Sequence, residues 1–449
     1  MGRRIVKRKQ WKPIVIALLA AVIFPVGVVG LIYFDWVESG RESESIVVEE
    51  IEDSGAGIKT EPQYDATPLE EAVGLSKESS KAVTEIDDGE KDSAESQPID
   101  DLAEQILERM TLYEKICQMF IVTPEQLTGV SQVTASGETT KRCLSETPVS
   151  GIIYLQPNLQ NYEQTKAMLF NVQEIAMEVE GIPLFLCVDE EGGRVLRIGG
   201  NEAFGIKKAL PMADITSKAE AHTAGSYIGS YLSDLGFNVD LAPVCDVLTN
   251  PDNQVIGNRS FGSDADIVRD YAREFSNGLR EHGILSTYKH FPGHGATADD
   301  THEGFAYTDK SLDELLENEL IPFADADNAG ADMVMVSHIS VPKILGEDSP
   351  CSLSYFMVTE VLKQRLGYSG LVVTDAMNMG AITDTYEADE AVVMAIKAGN
   401  DLILAPENLE SAINEVMEKV NLNEIDEEQI NSSVKRIILK KLSLSGYGD

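Results

Sequence analysis

Residues 289–304, KHFPGHGATADDTHEG, concentrate groups that can exchange a proton. The stretch holds three of the six histidines of the chain, together with three glycines, one proline and both acidic and basic side chains. Glycine and proline exclude a regular helix here and favour a loop that turns sharply. Because histidine is well matched to proton transfer near neutral pH, the segment indicates acid/base chemistry carried on a loop.

Within this loop, Asp300 and His302 are two residues apart. In an extended stretch their side chains lie on one face, where a carboxylate fixes the tautomer of an imidazole and raises its basicity. The spacing predicts a paired acid/base. A surface loop with solvated charges is the alternative.

Zinc binding is a second interpretation of the histidines, with ligands drawn from His290, His294, His302 and His338. His290 and His294 are four residues apart, but the Phe-Pro-Gly between them excludes the helix that would bring both to one ion. We therefore expect neither a metal nor a cofactor.

Short apolar runs alternate with helical segments from residue 101 onward. The runs cover 151–156, 183–193, 237–247, 284–295, 331–339, 370–380 and 401–406, and the clearest helical segments are 164–179 and 266–283. Strands that are apolar on both faces and alternate with helices indicate a parallel sheet covered on both sides. About eight such units without a nucleotide fingerprint favour a single α/β domain over 101–449, a TIM-type (β/α)8 barrel.

Almost every apolar run ends in a group that can do chemistry, namely Asp189, Asp246, Lys289, His290, His338 and Asp375. The active site of such a barrel lies at the carboxyl ends of its strands, so these side chains are predicted to converge. Asp375 is the first candidate carboxylate, because a rigid apolar strand precedes it. A cap on the following helix is its alternative role.

Two further motifs suit the hydroxyl groups of a sugar. Asp189 lies in VDEEGGRV (188–195) and Arg259 in GNRSFGSD (257–264), and both can form charge-assisted hydrogen bonds. The alternative for Arg259 is an ion pair with a neighbouring carboxylate.

The amino-terminal residues predict a membrane anchor. Residues 1–12 carry six basic side chains and no acidic one, and residues 13–34 carry no charge at all. A run of about 20 apolar residues spans a bilayer, and the basic flank keeps the amino terminus cytoplasmic. We expect a single-pass protein whose remaining domain is extracytoplasmic. A cleaved signal peptide is the alternative, although no small-x-small cleavage site is evident.

Acidic residues dominate the composition, with a net charge of −39 over 449 residues. A strongly negative chain excludes a nucleic-acid partner, which needs clustered Lys and Arg. Residues 35–100 are rich in Glu, Asp, Ser and Gly and predict a disordered linker. The five cysteines include no CxxC pair, and Cys187 and Cys245 lie in strand-like runs where we expect them to fill the core.

With these residues assembled, the chain resembles the glycoside hydrolase family 3 β-N-acetylglucosaminidases, or β-N-acetylhexosaminidases. The resemblance covers nearly all of 101–445. Its motifs are MTLYEKICQMF (110–120), VDEEGGRV, NVDLAPVCDV (238–247), NRSFGSD (258–264), KHFPGHG with DTH (289–302), MVMVSHI (333–339), CSLS (351–354), LVVTDAMNMGAI (371–382), AGNDLIL (398–404) and INSSVKRIILKKL (430–442).

The resemblance implies a role for each catalytic residue. Asp375 matches the nucleophile that forms a covalent glycosyl-enzyme. His302, with Asp300 behind it, matches an acid/base that replaces the second carboxyl group of ordinary retaining glycosidases. The resemblance further implies that Asp189, Arg259, Lys289 and His290 hold the terminal sugar, with Arg194 assisting.

The implied activity is retaining exo-hydrolysis of terminal, non-reducing β-linked N-acetylglucosamine. A site outside the membrane points to peptidoglycan fragments such as muropeptides as substrate, and we expect a monomer. A phosphorylase and a β-glucosidase-type enzyme on the same scaffold are alternatives. A non-catalytic wall-binding module would require the loss of Asp375 or His302, and both are present.

Three features depart from the family pattern. Ala296 stands where many relatives have Asp or Asn, and this change removes a polar group near the start of the loop. Thr301 stands where many have Ser, a conservative change. Residues 123–150 are longer than in the shortest relatives and are expected to form a rim around the site.

Overall fold

The computed structural model describes residues 97–297 and 306–445. The predicted segments 1–12 and 13–34 and nearly all of the predicted linker 35–100 lie outside those residues, so these assignments stay predictions. Helix α1 spans Gln97–Arg109, and the folded region therefore begins before residue 101. Within the described residues, no helix has both the length and the apolar character needed to cross a bilayer.

Eight parallel strands form the central sheet, and two more form a separate hairpin. The barrel strands are β1 Phe120–Val122, β2 Gly151–Ile153, β3 Phe185–Val188, β6 Val239–Asp240, β7 Leu285–Phe291, β8 Met333–Val336, β9 Leu371–Thr374 and β10 Ile403–Leu404; the hairpin is β4 Glu190–Gly192 with β5 Val195–Leu196. Each barrel strand pairs with the next, and β10 pairs with β1. Val373 bridges Leu402 beside β10, which closes the ring. The sheet fits the predicted (β/α)8 barrel.

Helices cover the outer face of the sheet. After α1 they are α2 Leu112–Cys117, α3 Pro124–Thr128, α4 Glu138–Glu146, α5 Tyr162–Val179, α6 Lys218–Leu235, α7 Ala265–Arg280, α8 Leu312–Leu316, α9 Ile321–Ala324, α10 Pro342–Leu345, α11 Gly380–Thr383, α12 Ala388–Ala398, α13 Leu409–Asn421 and α14 Glu427–Leu444, with a π-helix over Phe356–Arg365. Short 3-10 turns lie at Gln156–Asn158, Glu202–Phe204, Met212–Asp214, Gly257–Arg259, His294–Ala296 and Cys351–Leu353. The predicted helical segments 164–179 and 266–283 correspond to α5 and α7.

The strands read as continuous apolar runs because both of their faces are buried. Ile121, Phe185 and Met333 belong to a cluster inside the barrel, while their neighbours along the chain pack outward against the helices. All five cysteines are buried and free, which confirms that Cys187 and Cys245 fill the core.

The last helix, α14, closes the amino-terminal end of the barrel. Ile437 is fully buried in the interior cluster, and Leu444 packs against that cluster. The fully buried Lys441 places Nζ 2.8 Å from Oε1 of Gln118, which lies just before β1. The carboxyl end of the barrel therefore remains as the end where loops can form a site.

Candidate active site

The predicted convergence of the strand-end side chains is confirmed. Lys289, near the end of β7, places Nζ 3.0 Å from Oδ1 of Asp189, which follows β3. His290 places Nδ1 2.7 Å from Oδ2 of Asp246, which follows β6. Asp375 directly follows β9, and its backbone N–H donates to the carbonyl of Val336 at the end of β8 at 2.8 Å.

Glu191, which no sequence motif indicated, lies at the centre of the charged cluster. Its carboxylate is 1% exposed and accepts two hydrogen bonds from Arg259, from Nε and from Nη2, both at 2.8 Å. It also lies 2.7 Å from Nζ of Lys289. Arg259 therefore forms an ion pair with a neighbouring carboxylate, as the alternative prediction for this residue stated. That ion pair also holds the guanidinium of Arg259 at the site.

Charges of opposite sign alternate through this cluster. Burial alone would raise the pKa of Glu191, but Arg259 and Lys289 lower it well below its usual range. The pKa of Asp189 is likewise lowered, because Lys289 and Arg197 outweigh the effect of burial. The pKa of Lys289 is raised, since Glu191 and Asp189 outweigh its desolvation. The cluster is therefore fully ionised near neutral pH.

Arg197 reaches the site and Arg194 does not. Nη2 of Arg197 lies 3.2 Å from Oδ2 of Asp189. Arg194 is exposed, and its guanidinium donates to the backbone carbonyls of Gln254, at 2.7 Å, and Val255. Of the five residues predicted to hold a sugar, the structure thus brings together Asp189, Arg259, Lys289 and His290, while Arg194 ties down a neighbouring loop.

The hairpin of β4 and β5 explains why Asp189 and Glu191 face the same cluster. Their side chains alternate with that of Glu190, which points away and is fully buried. Glu190 accepts hydrogen bonds from the backbone of residues 197–199 at 2.6–2.9 Å and from the hydroxyl of Tyr231 at 2.8 Å. Glu190 therefore fixes the backbone that carries Arg197.

Asp375 is partly exposed and ionised. Its Oδ1 accepts a hydrogen bond from the backbone N–H of Ala376 at 2.8 Å. Burial would raise the pKa of Asp375, but His338 and then His290 lower it below its usual value. The next helix, α11, begins at Gly380, and its N-cap residue is Met379 with no side-chain cap hydrogen bond, so Asp375 does not cap it. The helix-cap alternative is wrong.

His338 supports the backbone beside Asp375. It is fully buried, with Nε2 3.0 Å from the carbonyl oxygen of Ala376 and Nδ1 2.7 Å from the hydroxyl of Ser352. Because a carbonyl only accepts hydrogen bonds, Nε2 carries a proton. Both ring nitrogens are engaged, which leaves this histidine unsuited to hold zinc.

Metal binding finds no support in the described part of the chain. No group of three or more His, Cys, Asp or Glu side chains within it could hold an ion. His290 also faces Nη2 of Arg259 at 3.4 Å from its Nε2, where a cation would be repelled. His302, the remaining ligand of the proposed zinc set, lies outside the described residues.

The predicted acid/base pair, Asp300 and His302, also lies outside the described residues, so its role stays a prediction. The turn that leads to it is described up to Thr297, which is fully buried and whose Oγ1 lies 2.8 Å from Nδ1 of His294. Ala296 is half-buried in that turn. His294, for which the sequence indicated no chemical role, is thus buried within the turn.

Residues 123–150 form the expected rim only in part: the stretch around α3 lies at the mouth, but α4 leads back to the amino-terminal end of the barrel, where Nε2 of Gln118 donates to the carbonyl of Pro148 at 2.7 Å. They follow the carboxyl end of β1 and contain α3 and α4. Oε1 of Glu125 accepts hydrogen bonds from the backbone of Val133 at 2.8 Å and from Nδ2 of Asn158, after β2, at 2.6 Å.

The substitution Glu191→Gln tests the central ion pairs. Removing one member of a buried pair leaves its partners uncompensated, so we expect a loss of roughly 3–5 kcal/mol in the free energy of unfolding. Urea denaturation measures this loss, and the exposed Glu202→Gln is the control.

The pKa of Glu191 is lowered in the folded chain, so its stabilisation is present above the unfolded pKa of about 4.3 and is lost as pH falls below it. If the difference in unfolding free energy between the parent and Glu191→Gln grew as the pH was lowered, this account would be contradicted.

Known proteins resemble this chain over most of its described length. A family model described as "Glycosyl hydrolase family 3 N terminal domain" matches residues 111–439. Beta-hexosaminidase A of Pseudoalteromonas piscicida is 32% identical over 325 residues, which cover 67% of this chain and 54% of that protein. Beta-hexosaminidase LpqI of Mycobacterium tuberculosis is 34% identical over 279 residues, which cover 60% of this chain and 70% of that protein.

A solved structure also resembles this chain. The glycoside hydrolase family 3 beta-N-acetylglucosaminidase from Paenibacillus sp. str. FPU-7 matches with a TM-score of 0.69 and 33% identity, over 75% of this chain and 62% of that one. The match thus spans about half of the Pseudoalteromonas protein and less than two thirds of the Paenibacillus one.

Fold and site together define a (β/α)8-barrel protein with its charged cluster at the carboxyl ends of the strands. The chain belongs to glycosyl hydrolase family 3.

Proposed function

We propose that the chain is a retaining exo-glycosidase that hydrolyses terminal β-linked N-acetylglucosamine. The observation that carries the proposal is Asp375, an ionised carboxylate at the mouth of the barrel that accepts a hydrogen bond from the backbone of Ala376 and forms no lysine or arginine ion pair among the described residues. An unpaired carboxylate is free to act as a nucleophile.

The proposed reaction has two steps. In the first, Oδ of Asp375 attacks the anomeric carbon while His302 gives its proton to the departing glycosidic oxygen, which leaves as an alcohol. In the second, His302 takes a proton from water, the water oxygen attacks the anomeric carbon, and the bond to Asp375 breaks. Two inversions retain the β configuration.

The charged cluster suits recognition of one terminal sugar. Asp189, Glu191, Arg197, Lys289 and Arg259 hold one another through hydrogen bonds. Substrate hydroxyls meeting such preformed charged groups gain charge-assisted hydrogen bonds with little reorganisation. The names of the Pseudoalteromonas, Mycobacterium and Paenibacillus proteins support N-acetylhexosamine as that sugar. We further propose a single-pass, extracytoplasmic enzyme, whose substrate would be peptidoglycan fragments.

The full chain should release nitrophenol from its β-N-acetylglucosaminide at least 10-fold faster than from its β-glucoside, as judged by kcat/KM. Each enzyme preparation is assayed on both substrates under identical conditions. Equal rates, or faster hydrolysis of the glucoside, would move the enzyme to the β-glucosidase alternative. No hydrolysis of either would support the non-catalytic alternative.

Charge balance favours water over phosphate as the acceptor. The described part of the site has more carboxylates than fixed cations: Asp189, Glu191, Asp246 and Asp375 against Arg197, Lys289 and Arg259. Each of the three cations already contacts a carboxylate, so a phosphate dianion would meet no uncompensated positive charge among them. Adding inorganic phosphate should therefore not change the rate, and no sugar 1-phosphate should appear by ³¹P NMR. Phosphate-dependent formation of that product would establish the phosphorylase alternative.

A further inference from the structure

Asp246 is a second buried carboxylate at the mouth of the barrel, and neither step of the proposed reaction uses it. Its side chain is fully buried. Oδ2 lies 2.7 Å from Nδ1 of His290, and Oδ1 accepts hydrogen bonds from the backbone N–H groups of His290, at 3.3 Å, and His294, at 2.5 Å.

The partners of Asp246 differ from those of buried carboxylates that lock the fold. Asp401, for comparison, is fully buried and pairs with Lys363 and Arg436. No lysine or arginine of the described chain forms an ion pair with Asp246; its carboxylate instead accepts hydrogen bonds from the imidazole of His290 and from backbone N–H groups. Burial would raise the pKa of Asp246, but His290 and then His294 lower it, so the carboxylate is ionised.

This environment selects one tautomer of His290. An ionised carboxylate only accepts hydrogen bonds, so Nδ1 of His290 carries the proton. Nε2 lies 3.4 Å from Nη2 of Arg259, which only donates, so Nε2 keeps its lone pair. His290 thus presents a single acceptor to the cluster that contains Arg259 and Glu191.

We propose that Asp246 is a positioning residue, which holds His290 as the Nδ1–H tautomer so that Nε2, whose contact with Nη2 of Arg259 is a long 3.4 Å, can instead accept a hydrogen bond from a hydroxyl of the bound sugar. That the hydroxyl group belongs to a sugar rests on the proposed function. The tautomer of His290 does not depend on that function. The same carboxylate fixes the backbone of His294 and hence the turn that follows β7. One side chain therefore sets both the ring orientation and the path of the chain beside it.

The test is Asp246→Asn, which preserves size. The amide oxygen can still accept from the backbone of His290 and His294, so the turn is retained. The amide nitrogen, facing Nδ1, donates instead of accepting and favours the Nε2–H tautomer, whose proton would then point at Arg259. We expect kcat/KM to fall on the order of 10–100-fold, mainly through KM, because the ring no longer accepts from the sugar.

Asp240→Asn is the matched control. Asp240 is also a fully buried aspartate, in β6, and its Oδ1 accepts from the backbone N–H of Glu190 at 3.0 Å. Burial raises its pKa well above the usual value, which favours the neutral carboxyl group, and an amide has nearly the same size and shape. This variant should keep the activity of the parent within about 2-fold.

A double-mutant cycle with His290→Ala separates positioning from a general effect on stability. If Asp246 acts through His290, adding Asp246→Asn to His290→Ala should lower kcat/KM by no more than about 2-fold further. A further fall as large as that of Asp246→Asn alone would overturn the proposal.

Nitrogen-15 NMR of the histidine-labelled full-length chain tests the tautomer without any substrate. The signals of His290 are assigned by their loss in His290→Ala. In the parent, Nδ1 should have the shift of a protonated nitrogen and Nε2 that of an unprotonated one, and the pattern should invert in Asp246→Asn. An unchanged pattern would overturn the proposal, whereas inactivity of the parent on β-N-acetylglucosaminides would overturn only the proposed function.

Discussion

Replacing Asp375 with alanine should lower kcat/KM on an aryl β-N-acetylglucosaminide by at least about 10⁴-fold, because the covalent glycosyl-enzyme can no longer form. Asp375 is the ionised group that directly follows β9, and His338 contributes most to lowering its pKa, against the effect of its partial burial. Steady-state hydrolysis measures the loss. Asn378→Ala is a matched control, since Asn378 is exposed three residues further along the same loop.

Azide provides a stereochemical test of the same variant. Removing the carboxylate leaves room for a small anion on the face from which Asp375 attacks. With a good leaving group, azide should restore turnover and give the α-glycosyl azide. A loss smaller than about 10-fold in Asp375→Ala, or a β-configured azide product, would show that another residue is the nucleophile.

Replacing His302 with alanine should have the second-largest effect, and its size should depend on the leaving group. General acid catalysis contributes about 10²–10⁴-fold when the departing oxygen is a poor leaving group. A dinitrophenolate needs little protonation, so its release should be far less affected. A series of aryl substrates of graded leaving-group pKa, assayed by kcat/KM, should give a steeper dependence in the variant.

His282→Ala is the control for that series. His282 is partly exposed on the outside of the barrel, with Nε2 3.0 Å from the hydroxyl of Ser226, and its loss should leave the dependence unchanged. Equal losses on good and poor leaving groups in His302→Ala would contradict an acid role. If His302 also acts as the base in the second step, the variant should accumulate the glycosyl-enzyme on the dinitrophenyl substrate, with an initial burst of phenolate.

The sequence was sufficient to predict the barrel and the convergence of the side chains at its strand ends. Apolar runs indicated strands, and parallel strands place their carboxyl ends together, so Asp189, Lys289 and His290 had to converge once the fold was assumed. Those predictions required only the order of residues along each strand. They did not depend on how a loop folds after its strand ends.

The two arginines illustrate what could not be predicted. Arg194 and Arg197 are three residues apart, and which of them reaches Asp189 depends on the hairpin of β4 and β5. That hairpin turns through Gly192 and Gly193, both at positive φ, and a Cβ at Gly193 would lie 2.6 Å from Pro211. The close approach of a distant segment fixes the turn, and no local pattern contains it. Strict alternation after Asp189 could, however, have indicated Glu191.

The position of α14 has a consequence for biosynthesis. The helix that supplies the floor of the barrel is the last one described, and its Lys441 bonds to Gln118, 323 residues earlier in the chain. A ribosome must therefore deliver nearly the entire domain before the first strand can pair with β10 and the floor of the barrel can close. Contacts of such long sequence separation slow folding and leave apolar strands exposed while they wait. The nascent domain thus keeps part of its apolar sheet uncovered until α14 has been made.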